Sequence, residues 1–138
     1  MIQPSLRHEG HLPVVLVVDD NPAIRNMVSW ALMLEGYKAA EASEGQEALD
    51  WVRNAARDGC YPAVILLDLT MPGMDGLTFL DRLWEYWNTH TAIPQRASVI
   101  VITASTDSPN AATLGVEQII VKPFHLQELL HTVHLLAK

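Results

Sequence analysis

Apolar and polar positions alternate in two different ways along this chain. Short continuous apolar runs, of which VVLVV at 14–18 and AVILL at 63–67 are the clearest, have the length and composition of strands that are buried on both faces. Longer stretches separate them, in which apolar residues recur every three or four positions, as in amphipathic helices. This alternation predicts an α/β fold with a parallel sheet between two layers of helices.

The pattern predicts five strand–helix units. Strands are expected at 14–18, 37–42, 63–67, 98–102 and 116–121, and helices at 44–57, 77–87 and 126–137. Another helix precedes these, with Asn21 as its N-cap, Pro22 in its first turn and Gly36 at its end. Its inward face is expected to comprise Ile24, Met27, Val28, Ala31, Leu32 and Leu34. The apolar stripe of the third helix is expected to comprise Leu77, Leu80, Leu83, Trp84 and Trp87.

Composition indicates one globular domain at 13–138, preceded by a flexible leader at 1–12. Nine Lys and Arg against sixteen Asp and Glu give a net charge of −7, which argues against direct binding to nucleic acid or to an anionic membrane. The first apolar run is too short to cross a bilayer, so we expect a cytoplasmic location. The single cysteine, Cys60, fits a reducing compartment and is expected to be an inert loop thiol.

Polar residues stand where the predicted strands end. Asp19 and Asp20 follow the first strand, Asp68 the third, Thr103 the fourth and Lys122 the fifth. Because the carboxyl ends of parallel strands meet at one edge of a sheet, we expect these side chains to converge. Three crowded carboxylates repel one another, and one lysine cannot balance them. Mg²⁺, which prefers oxygen ligands, would relieve this repulsion, and a carboxylate beside it could attack a phosphoryl group.

Four motifs follow one another at the ends of the first, third, fourth and fifth predicted strands: VVDDNP, LLDLTMPGMDG, VITAS and VKPF. Because these motifs occur in this order, the chain resembles the receiver domain of bacterial two-component response regulators, and in particular the chemotaxis receivers. The resemblance covers about residues 13–137. It implies a flavodoxin-like, doubly wound (βα)5 three-layer sandwich, with a five-stranded parallel sheet in the order 2-1-3-4-5.

The resemblance also implies which residues receive the phosphoryl group and hold the metal. Asp68 would be the phosphoacceptor and would contact the Mg²⁺ ion, with Mn²⁺ as the alternative metal. Asp20 would bind the metal directly and Asp19 through a water molecule. Thr70 would add its backbone carbonyl to the ligands.

A second group of matching residues would bind and sense the phosphoryl group. Thr103 would be the switch hydroxyl that turns toward it, and Lys122 the ammonium that pairs with it. Ala104 would leave room for the donor, and the bond before Pro123 would be cis, as in relatives. Relatives carry an aromatic residue three positions before the lysine, where this chain has Ile119. Because isoleucine is stiff at χ1, we expect the coupling between phosphorylation and the surface to differ here.

The chain departs from the family pattern on the face that carries the family's output. Only twelve positions separate Thr103 from Gly115, and Pro109 lies among them, so the fourth helix is expected to be short or irregular. In the family, the fourth helix, fifth strand and fifth helix form the output face, through which a homodimer could form. The segment EYWNTHTAIPQRAS at 85–98 is longer than usual and covers part of the sheet or forms a partner surface.

The resemblance implies a signalling domain, and not an enzyme, that is phosphorylated by a histidine kinase or a histidine phosphotransfer protein and acts on an unidentified downstream protein. Two alternatives stay open. The first is an interaction module that works without phosphorylation, which Ile119 and the short fourth helix keep open. The second is a haloacid-dehalogenase-like phosphohydrolase, which is disfavoured because Thr70 stands where that family has a second aspartate.

Other residues that could carry chemistry have simpler structural interpretations. Asp75 is expected to be the N-cap of the third helix. Glu128, His131 and His134 recur at helical spacing and are expected to form a solvated face of the last helix. Trp84 and Trp87 are expected to serve in packing.

Overall fold

The computed structural model describes residues 12–69, 75–104 and 111–137. The leader expected at 1–12 therefore lies outside the described residues, apart from Leu12. Within these ranges strands and helices alternate: β1 (Val14–Val18), α1 (Pro22–Leu34), β2 (Lys38–Ala42), α2 (Gly45–Arg57), β3 (Val64–Asp68), α3 (Gly76–Thr89), β4 (Ser98–Thr103), α4 (Ala111–Leu114), β5 (Gln118–Val121) and α5 (Leu126–Leu136). Among these helices, none is both long and apolar enough to cross a bilayer.

The five strands form one parallel sheet in the order β2-β1-β3-β4-β5, which confirms the predicted topology. Their register aligns the carboxyl ends: Val18 pairs with Leu67, Asp68 with Ile102, and Thr103 with Val121. The residues that end the strands or directly follow them therefore meet at the same edge of the sheet.

Helices cover both faces of the sheet and enclose two apolar clusters. On one face lie α1 and α5, whose buried apolar side chains in the cluster are Val28, Leu32, Leu129 and Val133. On the other face lie α2 and α3, which contribute Ala48, Leu49, Val52, Phe79, Leu80, Leu83 and Trp87. The central strand β3 is buried along its whole length, as its continuous apolar sequence predicts.

The predicted inward face of α1 is wrong at two positions. Met27 is 44% exposed and Leu34 is 66% exposed, whereas Val28 and Leu32 are buried as predicted. Almost the whole circumference of α1 is apolar, so periodicity alone did not select the side that packs against the sheet. In α3, Leu77 was also expected in the buried stripe but is 46% exposed, because it lies in the first turn on the solvent side.

Polar side chains fix where the helices begin. The side chain of Asn21 accepts hydrogen bonds from the N–H groups of Ala23 and Ile24, which confirms the predicted cap of α1. Asp75 caps α3 in the same way, and the N–H of Thr78 donates to its carboxylate at 2.8 Å. Glu44, predicted as the first residue of α2, is instead its N-cap.

The segment between α3 and β4 contributes to the core through Ala97, which is buried in the same apolar cluster as α2 and α3. Trp87 is only 4% exposed and belongs to the apolar cluster beneath α2 and α3. The guanidinium of Arg96 donates to the carbonyl oxygen of Trp87 at 3.0 Å and lies 5.7 Å above its ring. Trp84 is half-buried and lies against the turn between α4 and β5, where it is 3.8 Å from the Cβ position of Gly115. Both tryptophans therefore serve in packing, as predicted.

Candidate functional site

Three carboxylates meet at the carboxyl edge of the sheet. Asp19 and Asp20 follow β1 and Asp68 ends β3, and each offers an oxygen that lies within 4.8 Å of the other two. Asp19 and Asp68 are each only 4% exposed, whereas Asp20 is open to solvent. The three residues line an open cleft of about 540 Å³, whose wall also includes Ile24 and Ala104.

A lysine from the neighbouring part of the sheet points into the same cleft. Nζ of Lys122 lies 3.6 Å from Oδ2 of Asp68. The N–H of Lys122 donates to the carbonyl oxygen of Thr103 at 2.7 Å, which ties the end of β5 to the end of β4. Thr103 itself is buried, and the peptide bond between Lys122 and Pro123 is cis. The structure thus brings Lys122 and Thr103 to the edge that the carboxylates occupy.

The position of Asp19 is fixed by hydrogen bonds on three sides. Its N–H donates to the carbonyl oxygen of Ala42 at 3.1 Å, and its Oδ1 accepts from the N–H of Asn21 at 2.8 Å. Its carbonyl oxygen accepts from Nη1 of Arg25 at 2.7 Å. Nε of Arg25 in turn donates to Glu41 at 3.0 Å. Neither charged residue was predicted from the sequence, although a lone arginine six positions after Asp19 in an apolar helix was a visible signal.

Because Gly76 has no side chain, the backbone of Asp68 and Leu69 can lie directly against the start of α3. A Cβ atom at this position would lie 2.6 Å from Cα of Leu69 and 2.9 Å from the carbonyl oxygen of Asp68. The N–H of Gly76 also donates to the carbonyl oxygen of Leu69 at 3.0 Å, so the start of α3 is held against the end of β3. Position 76 therefore requires glycine because two backbones approach each other closely here.

The chemistry of the donor set fits a hard divalent cation. The three side chains supply only oxygen ligands, and one ammonium cannot neutralise three carboxylates. Thr70, expected to add its carbonyl, lies outside the described residues. Among the residues that the structure describes, no other group of His, Cys, Asp or Glu side chains is close enough to hold a metal, and Glu128, His131 and His134 do not form one. His134 instead lies with Nδ1 at 3.2 Å from the hydroxyl of Tyr37.

Comparisons with known proteins agree with this architecture. The family model of the response regulator receiver domain matches residues 15–134. The transcriptional regulatory protein TrcR of Mycobacterium tuberculosis is 36% identical over 129 residues, which are 91% of this chain and 46% of TrcR. The structure of the Vibrio cholerae chemotaxis protein CheY4 aligns with a TM-score of 0.72 and 30% identity, covering 91% of this chain and 98% of its own.

A further solved structure contains a metal complex. The response regulator TrrA of Thermotoga maritima, in complex with Mg²⁺–BeF, aligns with a TM-score of 0.70 and 28% identity, covering 91% of this chain and 99% of its own. The chain spans about half the length of the curated relatives it matches, 46% of TrcR among them. From the family match, the relatives and the order of the sheet, the chain belongs to the receiver domain family of two-component response regulators.

Proposed function

We propose that this domain takes up a phosphoryl group on Asp68 from the phosphohistidine of a histidine kinase or a histidine phosphotransfer protein, at a Mg²⁺ site that Asp68 forms with Asp19 and Asp20. The observation that carries the proposal is the convergence of these three carboxylates with Lys122 in one open cleft. Membership of the receiver family and the complex of TrrA with Mg²⁺–BeF support it.

The metal ligands follow from the donor atoms at the sheet edge. Asp20 and Asp68 would bind Mg²⁺ directly, and Asp19, whose Oδ1 is occupied by Asn21, would act through a water molecule. The backbone carbonyl of Thr70 is proposed as a further ligand, and Mn²⁺ suits the same oxygen donors. When bound, the ion would neutralise charge on the phosphoryl oxygens.

The transfer step uses Asp68 as the nucleophile. One carboxylate oxygen attacks the phosphorus, an O–P bond forms, and the N–P bond of the phosphohistidine breaks. The electron pair of that bond stays on the donor nitrogen, which leaves as a neutral imidazole when the other ring nitrogen carries a proton. Water later attacks the phosphorus, the O–P bond to Asp68 breaks and inorganic phosphate leaves, so the domain returns to its starting state after consuming one phosphoryl group of the donor.

Residues on the two neighbouring strands stabilise and sense the phosphoryl group in this proposal. Lys122 is already 3.6 Å from Asp68, so its ammonium can pair with the transferred oxygens without a large movement. Thr103 ends the adjacent strand β4, and its hydroxyl would turn toward the phosphoryl group. Ala104 lines the cleft with a methyl group and leaves space for the donor.

The exposed apolar face of α1 is the proposed contact for the protein donor. Met27, Trp30 and Leu34 lie three and four positions apart, and they are 44%, 63% and 66% exposed. The face begins beside the cleft, because Ile24, one turn before Met27, lines it. A partner that carries a phosphohistidine into the cleft would therefore cover this apolar surface.

The signal would leave the domain through α4, β5 and α5. Ile119, at the position of the family's aromatic switch, is half-buried against the cluster that also contacts Ala111 and Leu114 of α4. Movement of Thr103 would be transmitted through this packing to a downstream protein or to a second copy of the domain. TrcR is named a transcriptional regulatory protein and is about twice as long, so an output domain in the same chain is part of the proposal.

The test is intact-protein mass spectrometry after incubation with Mg²⁺ and acetyl phosphate. We expect one added phosphoryl group on the wild type, none in EDTA, and none on Asp68→Asn, because a carboxamide is a poor nucleophile. Asp75→Asn is the matched control, since it makes the same chemical change at an exposed residue whose capping role Asn can fill. Labelling of Asp68→Asn would refute the assignment. No adduct on a folded wild type that binds Mg²⁺ would favour the interaction module.

A further inference from the structure

The guanidinium of Arg25 lies next to the three carboxylates and donates hydrogen bonds in two directions. Nη1 donates to the carbonyl oxygen of Asp19 at 2.7 Å, and Nε donates to the carboxylate of Glu41 in β2 at 3.0 Å. The side chain of Arg25 is only 18% exposed, although it carries a full positive charge. Its backbone is also fixed, because its N–H donates to the carbonyl oxygen of Asn21 in the first turn of α1. The geometry of this arginine is therefore determined by three different elements.

A hydrogen bond that fixes the carbonyl oxygen of Asp19 also restrains the backbone N and Cα atoms of Asp20. The carbonyl of Asp19 and the N–H of Asp20 belong to one planar peptide unit. The direction of the carbonyl therefore fixes the orientation of this plane, which includes the N and Cα atoms of Asp20. The N–H of Asp19 is held on its other side by Ala42. Asp20 is the exposed member of the acidic group and has no buried surroundings to orient it. The hydrogen bond from Arg25 is the one of these contacts that is made to the Asp19–Asp20 peptide unit itself.

We propose that Arg25, oriented by Glu41, is a positioning residue of the Mg²⁺ site: it sets the Asp19–Asp20 peptide plane and so places the Asp20 carboxylate for metal binding. The inference rests on the proposed function of this site. Arg25 binds neither the metal nor the phosphoryl group in this account. It acts through Asp19, as residues that hold metal ligands in place do in other metal sites.

Arginine suits this role better than lysine does. The guanidinium is planar, and its N–H groups point in fixed directions, so one side chain can bond Glu41 and the carbonyl of Asp19 at the same time. A lysine ammonium would keep the charge but not this two-sided geometry. Charge and geometry can therefore be separated by substitution.

The experiment measures the dissociation constant of Mg²⁺ by calorimetric titration with MgCl₂. We expect Arg25→Gln to weaken binding about tenfold, and Arg25→Lys to weaken it nearly as much. Arg96→Gln is the matched control, because Arg96 also donates to a main-chain carbonyl, that of Trp87, but lies at the opposite edge of the sheet. Its affinity should equal that of the wild type. Glu41→Ala changes an exposed side chain that is not expected to affect folding, and it should weaken binding less than Arg25→Gln does, because it frees only Nε of Arg25.

Each outcome has a defined meaning. Wild-type affinity in folded Arg25→Gln would overturn the inference, and wild-type affinity in Arg25→Lys would show that only charge matters. An equal loss in Arg96→Gln would show a general effect of removing an arginine. If Arg25→Gln fails to fold, an unchanged Glu41→Ala overturns the inference. A wild type that binds no Mg²⁺ would refute the proposed function together with this inference, whereas a wild type that binds and is phosphorylated leaves only the role of Arg25 to be decided.

Discussion

Gly76 lies at the start of α3, where alanine would place its Cβ atom 2.6 Å from Cα of Leu69 and 2.9 Å from the carbonyl oxygen of Asp68. Both are backbone atoms, which cannot move aside without shifting the residue that we propose as the phosphoacceptor. We therefore expect Gly76→Ala to lower the free energy of unfolding by about 1–3 kcal/mol, as overpacking does in other proteins. Urea denaturation followed by circular dichroism measures this difference.

Leu77→Ala is the control for this prediction at the adjacent position of the helix. Leu77 is 46% exposed, so its truncation should change the free energy of unfolding by less than about 0.5 kcal/mol. If Gly76→Ala is as stable as Leu77→Ala, the two backbones can separate without cost, and the proposed steric role of Gly76 is wrong.

Among the elements, α3 depends on its capping residue for a stable first turn next to the site. The N–H of Thr78 donates to the Asp75 carboxylate, and this bond lowers the pKa of Asp75 below its ordinary value of 3.8. A lowered folded-state pKa means that the contribution to stability is present above the unfolded pKa and is lost as the pH falls through the folded pKa. We expect Asp75→Ala to cost about 1 kcal/mol at pH 7. The cost should shrink once the pH falls below 3.8.

Thermal unfolding of the wild type and of Asp75→Ala, from pH 7 to below pH 3.8, measures how the cost of the substitution changes with pH. Asp75→Asn is the control, because its amide oxygen caps the helix without titrating. Its difference from Asp75→Ala should therefore stay constant with pH. A cost of Asp75→Ala that does not change with pH would contradict the role of the carboxylate charge.

The orientation of α1 illustrates where the sequence pattern of an element stops being informative. The 3.6-residue period correctly predicted the helix and its N-cap at Asn21. It did not reveal that Met27, Trp30 and Leu34 face solvent, because apolar residues surround almost the whole helix. Which stripe is buried depends on where β1, β2 and α5 pack, and this is a property of the assembled fold.

The entry into β5 likewise depends on a contact between distant residues. The predicted start of this strand at 116 was two residues early, because the N–H of Val116 closes α4 by donating to Ala111. Glu117, directly before β5, then connects this strand to β4, since its carboxylate accepts a hydrogen bond from the N–H of Val99 at 2.7 Å. These residues are 18 positions apart in the sequence, so no local pattern could indicate the bond.

For the whole molecule, we expect stability to depend on Mg²⁺, because the ion would bind the carboxylate group of the folded state. The net charge is −7, and three carboxylates lie together at one edge. Binding to the folded state alone should stabilise the wild type by about 2.7 kcal/mol when free Mg²⁺ is about a hundred times its dissociation constant. Without Mg²⁺, Asp20→Asn should be more stable than the wild type by about 0.5 kcal/mol, because it removes the repulsion between this exposed carboxylate and the two buried ones.

Thermal unfolding in MgCl₂ and in EDTA tests both statements. NaCl at the same ionic strength as the MgCl₂ controls for general screening. The order of stability should reverse, with Asp20→Asn above the wild type in EDTA and below it in Mg²⁺. Equal stabilisation by NaCl, or an unchanged order, would show that the carboxylates do not form a metal site.

The part of the candidate site that consists of residues at strand ends could be predicted from the sequence. Asp19, Asp68, Thr103 and Lys122 were placed from the rule that parallel strands end at one edge, and the register brings them there. Their roles in phosphoryl transfer stay predictions until the labelling experiment is done. Arg25 was missed because its contacts join α1 to β2 and to the residue after β1, which no spacing rule describes.

The sequence by itself determined the five βα units, the parallel sheet and the identity of the residues at its carboxyl edge, because hydrophobic period and strand ends are local properties. The order of the strands followed only from the resemblance of the four motifs to the receiver family. Only the tertiary structure decided which face of α1 is exposed, why position 76 requires glycine, and how Arg25 fixes the backbone of Asp19. The physical reason is that each of these depends on the packing of segments that are not neighbours in the chain. The close contacts that orient the carboxylates form only when these segments come together.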